Sequence, residues 1–282
     1  MAYKSLLTIC ADVARAPQTF ATAASLATDQ DAHLEVLAMG VDRTQIGYSY
    51  VGAGAIVMQA AIENATNDVK AIEDAVRTAA AAASPTLRWS SEGAVAMVGG
   101  VADLVALRAR FSDLVILGKP YGDGRGDEEE AIIESAMFEG QAPVLVVPDA
   151  PLDASKIGKR IVVAWNQSRE GLIAIRRALP FLKKADNVWI TIVDPPKHGA
   201  ERSDPGGALC QMLVRHGVKA EVSVLARTMP RVSDVLARHV NDMDADMLVM
   251  GAYGHSRFRE AILGGATRNM LETAEVPVFM AH

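Results

Sequence analysis

Four glycines near the C-terminus are spaced to hold an anion. In residues 247–271, MLVMGAYGHSRFREAILGGATRNML, the apolar run Met247, Leu248, Val249, Met250 stops at Gly251. Gly254 follows, and nine residues then intervene before Gly264 and Gly265, where a helical pattern begins. Glycine lets a backbone come close to a ligand, and the N–H groups at a helix start face a negative charge. A glycine set of this kind is often no more than turn formers. Here the order of strand, glycine turn, spacer, glycine and helix is the context that a phosphate site needs. No G-x-x-x-x-G-K-[ST] occurs, and Gly52-Ala53-Gly54 is not completed, because Val57 stands at the third position.

Other chemistry is thinly represented. The six histidines, His33, His198, His216, His239, His255 and His282, form no i, i+4 pair and have no cysteine beside them, so no zinc site is expected. The acidic stretch at 123–130 lacks the alternating ligands of a calcium loop and reads as a solvated loop favouring the next helix N-terminus. Ser168, followed by Arg169 and Glu170, reads as a helix start. With no G-x-S-x-G and no prominent carboxylate pair, no catalytic residues are assigned. His255, Arg257 and Arg259 in the spacer could touch a phosphate, although solvent-facing charges are the commoner outcome.

The elements that would position the glycines occur twice. Lys4-Ser5-Leu6-Leu7-Thr8-Ile9 matches Lys159-Arg160-Ile161-Val162-Val163-Ala164, and residues 112–118 (SDLVILG) match 245–251 (ADMLVMG). Each half closes on a Pro-Val strand, at 142–147 and 276–281. Three matches in one order indicate a tandem duplication. The spans are 1–148 and 159–282, joined by a linker at 149–158 in a Pro- and Asp-rich stretch. The matching strands are offset by about 155 residues at the start and about 133 later, which places about 22 extra residues in the first half, between Gly40 and Ser84. That interval holds the tract at 47–54 and then a long helical pattern.

In the second half we expect strands near 160–165, 188–193, 219–225, 246–250 and 277–281, and helices near 168–183, 206–216, 231–242 and 265–274. Short apolar runs alternating with amphipathic helices indicate parallel strands buried on both faces. The fold class is α/β, two tandem doubly wound parallel five-stranded sheets flanked by helices, with ligands at the carboxyl ends of the strands.

Composition bounds the remaining options. Half of the 282 residues are hydrophobic and 22% are charged, with a net charge of −6 and no long basic tract. Nucleic acid is therefore not an expected partner. Two cysteines, Cys10 and Cys210, fit a reducing compartment. The N-terminus does not read as a signal peptide, and charges interrupt the Ala-rich segment at 57–83, so no membrane span and a cytoplasmic location are expected.

The chain resembles the universal stress proteins over nearly its whole length, as two tandem copies. Their nucleotide-binding members carry G-x2-G-x9-G-[ST] after the fourth strand. Gly251, Gly254 and Gly264 match, while Gly265 stands where the family has Ser or Thr. The opening K-[KR]-I-[LV]-V-A (residues 159–164), the aspartate before the fourth strand (Asp113, Asp246) and the Pro-Val strand match too.

The resemblance implies ATP or a related adenine nucleotide, with or without Mg2+, in the second half. Ala164, Asn166 and Ile192 would lie beside the adenosine, and Met250 and Gly251 would line the same cleft. Gly254, Gly264, Gly265 and Ala266 would wrap the phosphates. Asn166 replaces the family's usual Asp, and Trp165 is bulky for this position; a partly buried aromatic is the plainer reading of it. In the first half Lys119-Pro120-Tyr121 follows Gly118, Glu134-Ser135 replaces the glycines at the helix start, and Ala11 replaces the Asp, with Asp12 adjacent. That half is expected to bind no ATP.

The implied function is a stress-response regulatory module with at most slow ATP hydrolysis. The closing strands would pair with each other as an internal pseudo-dimer, leaving other surfaces for a homodimer. The alternatives are a nucleotide-free structural or interaction protein of the same fold, and an adenylyl-transferring enzyme. Asn166-Gln167-Ser168-Arg169-Glu170 argues against the latter, because such enzymes carry S-G-G-x-D after strand one.

Overall fold

The computed structural model describes residues 2–43, 54–122, 124–149, 152, 154–195, 203–252 and 265–282. The chain divides into two compact units, one ending at Val144 and the other running Leu145–His282.

The first unit contains strands β1 (Ser5–Cys10), β2 (His33–Asp42), β3 (Arg88–Met97) and β4 (Leu114–Gly118), and β5 (Val144–Val147) starts at its last residue. The order is β3-β2-β1-β4-β5, and the pairs β1–β2, β1–β4 and β2–β3 are parallel. Its helices are α1 (Ala16–Gln30), α2 (Gly54–Ala80), α3 (Val101–Ala109) and α4 (Asp127–Phe138). Consecutive buried residues in β1, β2 and β4 show that both sheet faces are covered. The edge strand β3 is mostly exposed.

The second unit contains β6 (Arg160–Ala164), β7 (Asn187–Val193), β8 (Ala220–Leu225), β9 (Met247–Gly251) and β10 (Val278–Ala281), in the order β10-β9-β6-β7-β8, all four pairs parallel. Its helices are α5 (Arg169–Arg177), α6 (Leu179–Leu182), α7 (Gly207–Arg215), α8 (Val232–Asp242) and α9 (Ala266–Thr273). The expected strands and helices all appear, within a residue or two at their ends. The exception is the helix expected over 168–183, which breaks at Ala178 into α5 and α6. Pro180, near the start of α6, has no N–H to continue the α5 ladder.

The extra length of the first half lies in α2, with 27 residues against 9 for α7. The helix-start glycines were expected to have Glu134-Ser135 as their counterpart in the first half. Instead α4 begins at Asp127, so both residues sit inside that helix. Asp127, Glu128, Glu129 and Glu130 fill its first turn and complement the positive end of the helix dipole, and Glu129 also accepts the Gly126 N–H at 3.0 Å.

The aspartates that precede β4 and β9 are structural. Asp246 accepts backbone hydrogen bonds from Gly158 (2.7 Å), Lys159 (3.1 Å) and Arg160 (2.9 Å), tying the start of β9 to that of β6. Asp113 accepts from Lys4 (2.7 Å) and Ser5 (3.1 Å). Backbone N–H groups at strand starts need such an acceptor when no strand covers them.

His239, on α8, is buried at 5% exposure, and its Nε2 has no partner among the described residues. Burial lowers its pKa below the ordinary 6.5, with Asp242 opposing. The unfolded chain then takes up the proton more readily, so stability present above pH 6.5 is lost as pH falls through that value toward the folded pKa. Thermal melts of wild type and His239→Leu between about pH 5 and 8 should diverge on the acid side. Parallel curves would contradict this.

Candidate functional site

The carboxyl ends of β6, β7 and β9 enclose a cleft of about 280 Å3 in the second unit. This is close to the smallest small-molecule sites, which begin at about 300 Å3. Ala164, Trp165, Asn166 and Gln167 line it after β6, Thr191 to Pro195 at the end of β7, and Met250 and Gly251 at the end of β9. Val232 and Leu236 from α8 and Ala266 from α9 complete the lining.

Its interior is apolar and its rim is polar. Trp165, Ile192, Leu236 and Met250 are buried, whereas Asn166, Gln167, Asp194 and Ala266 are exposed. The Trp165 N–H donates to the Thr191 carbonyl at 2.9 Å, so pairing of β6 with β7 continues past Ala164 and fixes the tryptophan backbone in the wall. Trp165 is therefore both the buried aromatic that the sequence suggested and part of the cleft.

Two helices start beside this cleft, α5 after β6 and α9 after β9, and their termini differ. Ser168 caps α5, its Oγ accepting the Gly171 N–H at 3.0 Å, as the sequence indicated. The Gly265 N-cap of α9 supplies no side-chain acceptor, and the first turn of α9 holds no acidic residue. The first turn of α8, by contrast, carries Asp234. An anion at the cleft is thus best received by α9.

Of the site residues expected from sequence, Ala164, Asn166, Ile192, Met250, Gly251 and Ala266 all line this one cleft. Gly265 is the N-cap next to it. Gly254 and Gly264 lie outside the described residues, as do His255, Arg257 and Arg259 and all of the 47–54 tract before Gly54.

Gly251 has a packing reason to be glycine. A Cβ there would fall 2.4 Å from the Gly171 nitrogen and 2.7 Å from the Glu170 carbonyl carbon, so β9 and the first turn of α5 could not approach. Asn166 Oδ1 accepts the Ser168 N–H at 3.1 Å, which turns its amide NH2 into the group left for a ligand. The reading from sequence missed Gln167, Thr191, Val193, Asp194, Pro195, Val232 and Leu236. An Asp-Pro pair favours a turn, but only the chain trace brings this one to the cleft.

The corresponding hollow of the first unit is about 50 Å3 and closed by its own ions. Arg15 Nη2 lies 2.9 Å from Asp12 Oδ2, 3.2 Å from Glu129 Oε1 and 3.1 Å from the Gly124 carbonyl. Arg43 holds Glu128 through two bonds of 2.6 and 2.8 Å. Cys10, also lining the hollow, is fully buried, and burial pushes its thiol up to about 12, so it is unreactive.

Residues 158–282 match the model of the Universal stress protein family. The C-terminal half is a universal stress protein domain. Universal stress protein Slr1230 of Synechocystis sp. is 28% identical over 181 residues, covering 59% of this chain and 56% of that protein. Among solved structures, a universal stress protein from Archaeoglobus fulgidus superimposes with a TM-score of 0.65 at 12% identity, covering 98% of this chain and 97% of that one. A functionally unknown protein from Pseudomonas aeruginosa gives 0.51 at 14% identity, covering 99% and 92%. At these identities the structural matches establish the shared α/β fold of the universal stress proteins. Among the described residues, no helix is long and apolar enough to cross a membrane.

Proposed function

We propose that the universal stress protein domain at residues 159–282 binds ATP or a related adenine nucleotide, and that the chain acts as a nucleotide-dependent regulatory module in a stress response. The observation that carries this reading is one cleft that joins an apolar interior to the N-terminus of α9, whose first turn holds no acidic residue. Ile192, Met250, Val232 and Leu236 suit the base, and Gly265 and Ala266 suit the phosphates, joined by Gly251, Gly254 and Gly264 through the family motif. Ala164 and Asn166 form the adenosine side. The first unit, closed by Arg15, contributes no second nucleotide of this kind. In this reading the module hydrolyses ATP slowly at most.

Ala266 is exposed at the first position of α9, where a glutamate is compatible with the helix. An Ala266→Glu variant should keep the wild-type melting temperature and lose ATP affinity by about tenfold or more, through repulsion at the helix start. Calorimetric titration checks this, and equal heats in both proteins would sink the site.

A second reading, a nucleotide-free interaction protein of the same fold, is favoured by Asn166, whose oxygen is already engaged by Ser168, and by Gly265, which lacks a hydroxyl. Native mass spectrometry of the purified chain separates the two by whether a nucleotide copurifies.

A further inference from the structure

We infer that Asp194 reads the sugar of the bound nucleotide, accepting hydrogen bonds from the ribose hydroxyls and selecting a ribonucleotide over its deoxy counterparts. The inference rests on the nucleotide reading of the cleft and deepens it.

Five non-glycine residues among those described have positive φ, and two of them, Gln167 (62°) and Asp194 (51°), line this cleft. Asp194 carries an added constraint. It precedes Pro195, whose ring pushes the preceding residue toward extended backbone, yet it is held left-handed. Its N–H donates to the Leu225 carbonyl at 2.9 Å, so pairing with β8 fixes the backbone in that state. Strain kept by its surroundings at a cleft wall points to a function for the side chain.

The side chain stands at the carboxyl end of β7, exposed at the rim. An ionised carboxylate only accepts hydrogen bonds, and a ribose offers two neighbouring O–H donors. In the dinucleotide-binding doubly wound folds, an acid beyond the first glycine turn meets the ribose 2′-OH in the same way. Asp194 would also repel phosphates from its end of the cleft and leave them to α9. The charge distribution thus orients the nucleotide along the cleft.

Titrating the full chain with ATP, 2′-deoxy-ATP and 3′-deoxy-ATP tests this. Wild type should bind ATP about tenfold more tightly than at least one deoxy form. In Asp194→Gly, which suits the left-handed backbone, ATP should lose more affinity than either deoxy form, so that the gap between them closes. Asp194→Asn, which also tolerates that conformation and keeps a weaker acceptor, should fall between. If wild type binds all three equally, or if Asp194→Gly weakens all three by one factor, the inference is overturned while the nucleotide site stands. If wild type binds none of the three, both fall together.

Discussion

An Asp246→Ala variant is expected to lose about 2 to 4 kcal/mol of folding stability, since three backbone N–H groups lose their acceptor at about 1 kcal/mol or more each. The carboxylate serves Gly158, Lys159 and Arg160 at once, and two of these bonds are partly shielded from water. Burial pushes the carboxyl pKa up and the three donors pull against it, which is the balance expected of a carboxylate held for its hydrogen bonds. The loss is a large share of the usual 5–15 kcal/mol. Asp246→Asn should recover part of it, because its amide oxygen still accepts while its NH2 meets a donor.

Asp113→Ala removes an acceptor from only two N–H groups, both exposed, and should cost about half as much. Urea denaturation of the three variants checks the ranking. A cost for Asp113→Ala equal to that for Asp246→Ala would show that the number of donors is not what matters.

Gly40→Ala should be comparably severe. A Cβ at Gly40 would lie 2.1 Å from the Ala65 carbonyl oxygen and 2.8 Å from its carbon, both backbone atoms of α2. No rotamer change relieves such a clash, so the helix must move away from β2. It would take Ala65, Val69, Ile72 and Val76, all buried, with it. Overpacking of this kind costs about 1–3 kcal/mol, and contact with backbone places Gly40→Ala at or above the upper end. Gly99→Ala is the control: among the described residues nothing lies within 4 Å of a Cβ placed there, and stability should change by less than about 1 kcal/mol. A melting temperature for Gly40→Ala as high as that of Gly99→Ala would contradict the close approach.

The near-complete site and its degenerate counterpart fared differently in the sequence. Met250 and Gly251 stand where an apolar run stops, a local signal, whereas Ala164 and Ile192 came from the family resemblance, and all four line the cleft. The acidic run at 127–130 announced a helix start for the same local reason, although the register drawn from the other half placed that start seven residues too late. Asp12 and Arg15 are three residues apart, but that Glu129 would join them had no local signal, for that contact joins the loop after β1 to α4 across more than a hundred residues.

The sequence by itself determined the order of strands and helices, the glycine set and the surplus length of the first half. Each is written in periodicity, punctuation or repeat spacing over a few neighbouring residues. The tertiary structure alone decided three things: which strand ends share a cleft, that Arg15 closes the first hollow, and that Gly40 and Gly251 are required by backbones pressed against them. It also decided that Asp194 is held left-handed at the rim. These depend on distances between residues far apart in the chain, and such distances exist only once hydrogen bonding and burial have brought the elements together.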